Sequence, residues 1–258
     1  MPPLIQGLAE PAHAVVTGSS SGVGLALVTQ LLAHPQIASV SAIARSAEKC
    51  LALQSLHAEY GDRLLRCAMD ITDAASRAQG AAHIASRTPT LHVLIHAAGC
   101  LHGPGIRPEK SLQQLQESAL TSLLQVNAFA PILLTQALLS CFRTAPAAVI
   151  AAISARVGSI EDNALGGWYS YRASKAAQNQ LFRTLSIELR RSLPNLRVVS
   201  LHPGTVDTPL AAPFKANVPA DRLFTPEQSA AHLLRVIAGV QNEDSGRFLA
   251  WDGKTIPW

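Results

Sequence analysis

Two side chains able to move a proton, Tyr171 and Lys175, stand four residues apart in Tyr171-Arg172-Ala173-Ser174-Lys175. On a helix that spacing puts both on one face. A free phenol titrates near ~10, too high for acid–base work at neutral pH. An ammonium beside it favours the phenolate and lowers that value. The pair is therefore read as a proton donor and acceptor for a substrate oxygen, with the lysine tuning the tyrosine. Tyr169 has no such partner, because the residue four further on is Ala173. A tyrosine and a lysine one turn apart are usually surface residues, so the pair gains weight only from what surrounds it.

The first such context is Thr17-Gly18-Ser19-Ser20-Ser21-Gly22-Val23-Gly24, which follows an apolar run and opens a helical pattern. Glycine permits a tight turn and lets the backbone approach a pyrophosphate, while the free N–H groups and dipole of a helix start favour that anion. Strand, turn and helix in that order make this a dinucleotide loop, and Gly18, Ser20, Ser21, Gly22, Val23 and Gly24 are its candidate cofactor-binding residues.

The T-G-x-x-x-G-x-G spacing resembles the short-chain dehydrogenase/reductase family, and the resemblance extends over nearly the whole chain. Y-x-x-x-K is that family's catalytic pair, and the resemblance implies that Lys175 also holds the nicotinamide ribose. It implies a role for Asn127, in Gln125-Val126-Asn127-Ala128, in holding a water chain to the lysine. It places Asp70 against an adenine; Asp70 also reads as a helix cap for the stretch beginning near Thr72. The family's N-N-A-G is His96-Ala97-Ala98-Gly99 here, which keeps the small residues Ala98 and Gly99 beside the cofactor and loses both asparagines. His96 is read as a strand-end histidine, with no second metal ligand at a suitable spacing. Pro203, Gly204, Val206 and Thr208 match a P-G-x-V-x-T segment that contacts the nicotinamide carboxamide.

Cofactor choice is read at Ala44-Arg45-Ser46. An acidic residue there would bond the ribose 2′-hydroxyl of NAD, whereas the Arg45 guanidinium suits a 2′-phosphate. NADP(H) is the expected cofactor. The family's S-S-x-x-G becomes Ser154-Ala155-Arg156-Val157-Gly158, so Ala155 stands at the position of the serine that orients the substrate carbonyl. Ser154 and Ser159 are the candidate replacements. Losing such a donor costs a few kcal/mol, ~2.7–4 in another enzyme class. The long loop through Gly166-Gly167-Trp168-Tyr169 and the ending Trp251–Trp258 look like the subgroup of C-factor and sniffer-type carbonyl reductases.

These residues need a scaffold. Seven short apolar runs alternate with helical patterns: Ala14–Val16, Val40–Ala44, Leu64–Met69, His92–His96, Ala147–Ile153, Arg197–Leu201 and Phe248–Ala250. Helices are predicted over 22–33, 47–58, 74–86, 169–189 and 227–239, with two more after His96. Strands that read as continuous apolar runs are buried on both faces. The expected fold is a Rossmann-type α/β domain over residues 1–258, a doubly wound parallel seven-stranded sheet with helices on both faces. A substrate lid is expected around 205–226, where Leu210, Phe214, Val218, Leu223 and Phe224 suggest an apolar substrate, with core packing an equal explanation for at least half of them.

Composition narrows the class. The 258 residues are 48% hydrophobic and 15% charged, which suits a large core and excludes a disordered chain. A net charge of +4 without a basic run argues against a nucleic-acid partner. Apolar runs such as 132–139 are shorter than the ~20 residues of a membrane span. The start Met1-Pro2-Pro3-Leu4-Ile5 has no secretory pattern, and Cys50, Cys67, Cys100 and Cys141 are scattered. A cytoplasmic enzyme with a small-molecule carbonyl substrate is expected, and the family resemblance implies a homo-oligomer, dimer or tetramer. A weakly active or inactive NADP-binding regulatory protein is the alternative, motivated by Ala155 and the C-factor resemblance.

Overall fold

A computed structural model describes residues 3–9, 11–212, 214–215, 219 and 222–258; Val218 of the predicted lid lies outside them. β1 (Ala12–Thr17) passes through the glycine turn into α1 (Gly22–Ala33). β2 (Ile37–Ala44), α2 (Leu51–Tyr60), β3 (Leu64–Ala68), α3 (Ala74–Arg87) and β4 (Val93–His96) follow. A long connection reaches α4 (Glu117–Leu124), a π-helical turn (Gln125–Phe129) and α5 (Ala130–Leu138). The chain continues as β5 (Ala148–Ile153), α6 (Tyr169–Ser192), β6 (Leu196–His202), the short β7 (Thr205–Val206) and β8 (Leu223–Phe224), α7 (Pro226–Gly239) and β9 (Phe248–Ala250).

All seven expected strands form one parallel sheet in the order β3-β2-β1-β4-β5-β6-β9. Alternate strand residues serve opposite cores. Val16, Val93, Ile95 and Val149 meet Leu27 and Leu31 of α1 and Leu233 and Ile237 of α7. Val15, Leu94 and Ile150 meet Ile84 of α3, Leu134 and Leu138 of α5 and Phe182 of α6. Both faces are covered by apolar cores, which is why the strands read mostly as apolar runs. The order reverses at β1, which pairs with β2 on one side and β4 on the other, and in such sheets ligands bind outside the carboxyl ends of the strands at this reversal.

Three local outcomes differ from the sequence reading. The helix expected from Ala47 begins at Leu51, because turns fill residues 45–49 and bury Ala47 in the core. The helix through Asn127 carries a π-turn, in which Ala130 N donates to Gln125 O, five residues back. Pro131 has no N–H to give Asn127 O and its ring crowds that carbonyl, so the ordinary pattern cannot close there. Finally, the helical stretch Glu117–Phe142 runs 26 residues at a mean hydropathy of 1.4 in its most apolar window, long and apolar enough to cross a membrane by composition. Its Leu134 and Leu138 are fully buried in the core shared with α3 and α6, the placement of an interior helix.

Candidate active site

The turn after β1 is shaped by what cannot fit in it. Gly18 has φ +68°, and a Cβ there would lie 2.7 Å from the Ala98 backbone. A Cβ at Gly24 would strike the Gly18 carbonyl, and one at Gly22 would stand 3.1 Å from Thr208 Cγ2. The loop thus touches Ala98 on one side and Thr208 on the other, two residues that sequence reasoning assigned to the same ligand. Two unpredicted residues brace it. Ser19 Oγ donates to Ile43 O at 2.9 Å, and Thr17 Oγ1 accepts from Ala97 N and Ala98 N, both at 3.1 Å. Both are buried polar residues, Thr17 at the end of β1 and Ser19 in the turn after it, and a buried polar group demands a partner. Ser21 is the N-cap of α1 but its side chain does not cap, which leaves the first amides of the helix, Val23 among them, open.

Arg45 follows β2 directly, is exposed and forms no ion pair among the described residues. Its charge reaches Asp70, whose carboxyl sits below the ordinary carboxylate range mainly because Thr72 donates to it through both hydroxyl and amide. The helix cap there is Asp73, whose side chain accepts from Ser76 N, so the capping alternative for Asp70 does not hold.

Tyr171 and Lys175 lie in the first turns of α6, 6% and 3% exposed, with Lys175 Nζ 6.0 Å from the Tyr171 ring centroid. The ammonium donates to Ile153 O at 2.8 Å and Gln178 Oε1 at 3.0 Å. Burial pulls the Lys175 pKa down to about 7. Burial, with a smaller push from the Cys100 thiol, raises Tyr171 well above the ordinary phenol value. The expectation of a lowered tyrosine is therefore not met here: desolvation outweighs a lysine that is itself aimed at other acceptors. Gln178, buried beside Lys175, is a partner that spacing did not single out.

Asn127 is fully buried in the π-turn. Cys100 N donates to its Oδ1 at 2.8 Å, while its Nδ2 donates to Cys100 O at 2.8 Å and Ser174 Oγ at 2.9 Å. Ser174 Oγ donates in turn to Tyr171 O at 2.8 Å. Asn127 thus couples the strand-end segment after β4 to the tyrosine's own backbone, without a direct bond to Lys175. Gly99 lies between the two: a Cβ there would be 3.5 Å from Asn127 Oδ1 and 3.8 Å from Lys175 Nζ.

At the position of the missing serine, Ala155 packs in an apolar cluster with Tyr171, Leu101, Leu123, Val157, Trp168 and Phe214. Ala155 is extended (φ −147°, ψ 149°), so Ser154 beside it faces the other way. Ser154 N continues the ladder to Leu201 O, and its buried Oγ has no hydrogen-bond partner among the described residues. Ser159 Oγ accepts from Asp162 N and closes the following turn. Neither serine takes the place that Ala155 occupies.

Pro203 O accepts from Ser229 Oγ at 2.8 Å, and a Cβ at Gly204 would lie 2.6 Å from the Phe224 ring. β7 and β8 pair Val206 with Phe224, drawing the two ends of the expected lid together. Of the lid residues read as substrate-facing, Phe214 joins the Tyr171 cluster. Phe224 packs instead on Trp251 and His232, at 4.7 and 4.9 Å between centroids.

His96, where the family pattern has asparagine, is fully buried, with Nε2 2.8 Å from Thr135 Oγ1. Burial lowers its pKa to about 3. It is neutral in the folded chain, while an unfolded chain takes up a proton below about 6.5. Stability is therefore full above that value and falls as pH drops toward 3, by about 2 kcal/mol at pH 5. Chemical denaturation of wild type and His96→Asn should show the smaller acid loss in the variant. Equal losses would place the acid sensitivity elsewhere.

The sequence matches the short chain dehydrogenase family model over residues 12–219. It is 38% identical to the C-signal protein of Myxococcus xanthus over 133 residues, 52% of this chain and 75% of that one. An NADPH-bound carbonyl reductase from chicken fatty liver superposes with a TM-score of 0.86 at 30% identity, covering 97% of this chain and 100% of the other. Carbonyl reductase Sniffer of D. melanogaster superposes at 0.85 with 26% identity, covering 96% and 100%.

Proposed function

Because the chain belongs to the short chain dehydrogenase family, and so to a family of oxidoreductases, we propose that it is an NADP(H)-dependent carbonyl reductase with Tyr171 as its proton donor. One observation carries the proposal: Tyr171 lies buried with Lys175 on α6 and is tied through Ser174 to Asn127, while Gly99, the neighbour of the Ala98 that closes on Gly18, lies against Asn127 and Lys175. The chicken carbonyl reductase, described as NADPH-bound, supports the choice of cofactor.

The residues present fit a dinucleotide. The turn from Gly18 to Gly24 leaves backbone and open amides for a pyrophosphate, and Arg45 carries an unpaired guanidinium for a 2′-phosphate. Asp70 would hold the adenine end, and Ala98, Gly99 and the segment Pro203, Gly204, Val206 and Thr208 would hold the nicotinamide end. When bound, NADPH supplies a hydride to the carbonyl carbon of the substrate.

Tyr171 Oη gives its proton to the carbonyl oxygen, which leaves as the alcohol. Burial raises the phenol above its ordinary value, so Tyr171 stands protonated and holds the proton it donates. Lys175 stands where its charge stabilises the phenolate left behind, and Ile153 O and Gln178 hold it there. Asn127 fixes Cys100 and, through Ser174, the Tyr171 backbone. Val157, Trp168 and Phe214, partly buried around Tyr171, give the surroundings of the phenol an apolar character that suits an apolar or aromatic carbonyl compound.

Fluorescence titration tests the cofactor. Wild type should bind NADPH more tightly than NADH. Arg45→Glu should weaken NADPH about 10- to 100-fold, as expected for losing a charge-assisted pair, and leave NADH within about threefold. A wild-type preference for NADH would overturn the assignment.

A further inference from the structure

We propose that Glu109 is a positioning residue for Tyr171, acting as a remote clamp on the first turn of α6. The proposal rests on the reading of Tyr171 as proton donor.

Glu109 lies in the connection between β4 and α4, 3% exposed, and no other carboxylate is buried among the described residues. A buried carboxylate persists only where donors compensate its lost hydration. Here Ser170 supplies both: its Oγ donates to Glu109 Oε1 and its N–H to Oε2 at 3.4 Å. The main chain joins in, with Trp168 N donating to Glu109 O. A Cβ at Gly167 would stand 3.2 Å from that same oxygen, so the two segments lie in close contact.

The helix start needs this outside help. Its N-cap residue, Trp168, has φ 52°, the one positive φ outside glycine among the described residues, and its side chain does not cap. That conformation carries strain for a bulky residue and persists only when neighbours hold it. It brings the Trp168 ring to 6.3 Å from Tyr171 and 5.1 Å from Phe214 between centroids. Glu109 thereby grips residues 168 and 170, and its carboxylate suits the positive end of the α6 dipole. Tyr171 is the next residue. Its carbonyl is already held from the other side by Ser174 and Asn127, so it is fixed between two networks. Lys175 is anchored separately, one turn deeper, on Ile153 and Gln178. Loosening Glu109 should therefore move the tyrosine and the Trp168 wall while leaving the lysine and the nucleotide loop in place.

The test compares full-length wild type, Glu109→Ala and Glu109→Gln. Readouts are NADPH affinity, kcat and KM for 4-nitrobenzaldehyde, and hydrogen exchange along α6. Glu109→Ala should lower kcat about 10- to 100-fold, the cost of a misplaced reacting group, with NADPH affinity within about twofold. Exchange should quicken at 169–172 and stay unchanged at 176–189. Glu109→Gln keeps an acceptor for Ser170 and should recover most of kcat. Wild-type kcat in Glu109→Ala, or kcat and NADPH affinity falling together with faster exchange throughout, would overturn the positioning role. Unchanged exchange at 169–172 would overturn the clamp. A wild-type protein that binds NADPH and reduces no aldehyde would overturn the proton-donor reading itself, whatever the exchange pattern.

Discussion

Tyr171→Phe should lower kcat for carbonyl reduction by about 10²- to 10⁴-fold, the range that general acid catalysis supplies. The substitution removes one oxygen and keeps the ring that packs on Trp168 and within the Leu101 and Leu123 cluster. Folding stability and NADPH affinity should therefore remain close to wild type. The size of the loss follows from the wall opposite. With Ala155 at the serine position, the tyrosine hydroxyl is the one side-chain donor assigned to the substrate oxygen, so nothing else takes over the proton. Steady-state kinetics with matched NADPH titrations separate the effect on chemistry from any effect on binding. A variant that retained more than about a tenth of the wild-type kcat would remove Tyr171 from the proton step.

Ala155→Ser should act in the opposite direction and raise kcat about 10- to 100-fold. Ala155 packs against the same apolar cluster as Tyr171. A hydroxyl there adds a second donor at the oxygen where negative charge develops. One such donor is worth about 10²–10³ in kcat where its contribution has been isolated, and a site not built around it should gain less. The added oxygen replaces apolar packing, so a stability loss of about 1–2 kcal/mol should accompany the gain. The comparison is kcat at saturating NADPH with the same aldehyde. An unchanged or lower kcat, with cofactor binding intact, would mean that the carbonyl oxygen is held away from residue 155.

The scaffold was legible because burial on both sheet faces writes itself as unbroken apolar runs, and seven such runs became seven strands. The glycine turn was legible because its requirement is steric and local: Gly18 and Gly24 have no room for a Cβ. Features that depend on distant neighbours were not. Arg45 could be placed at a strand end, but α2 begins only after a buried Ala47 that periodicity counts as helical. The π-turn at Asn127 arises from Pro131, four residues on, and helical spacing alone does not reveal it. The raised Tyr171 phenol is not legible in the sequence, because a four-residue spacing reports a neighbouring lysine and says nothing of how deeply both are buried. No motif or spacing in the sequence singles out Glu109; only the fold brings it to Ser170. Ala155 was readable; the structure adds that Ser154 Oγ is buried without a hydrogen-bond partner among the described residues and that Ser159 Oγ closes a turn with Asp162.

The central claim, that this chain couples NADPH oxidation to carbonyl reduction, is tested most directly by following NADPH and alcohol product together. Purified protein is given a panel of aromatic aldehydes and diketones. NADPH consumed and alcohol formed should rise in equal amounts for at least one apolar aromatic member, and both should all but vanish in Tyr171→Phe. Tight NADPH binding with no consumption across the panel, identical in wild type and Tyr171→Phe, would contradict the claim and mark the chain as a cofactor-binding regulatory protein.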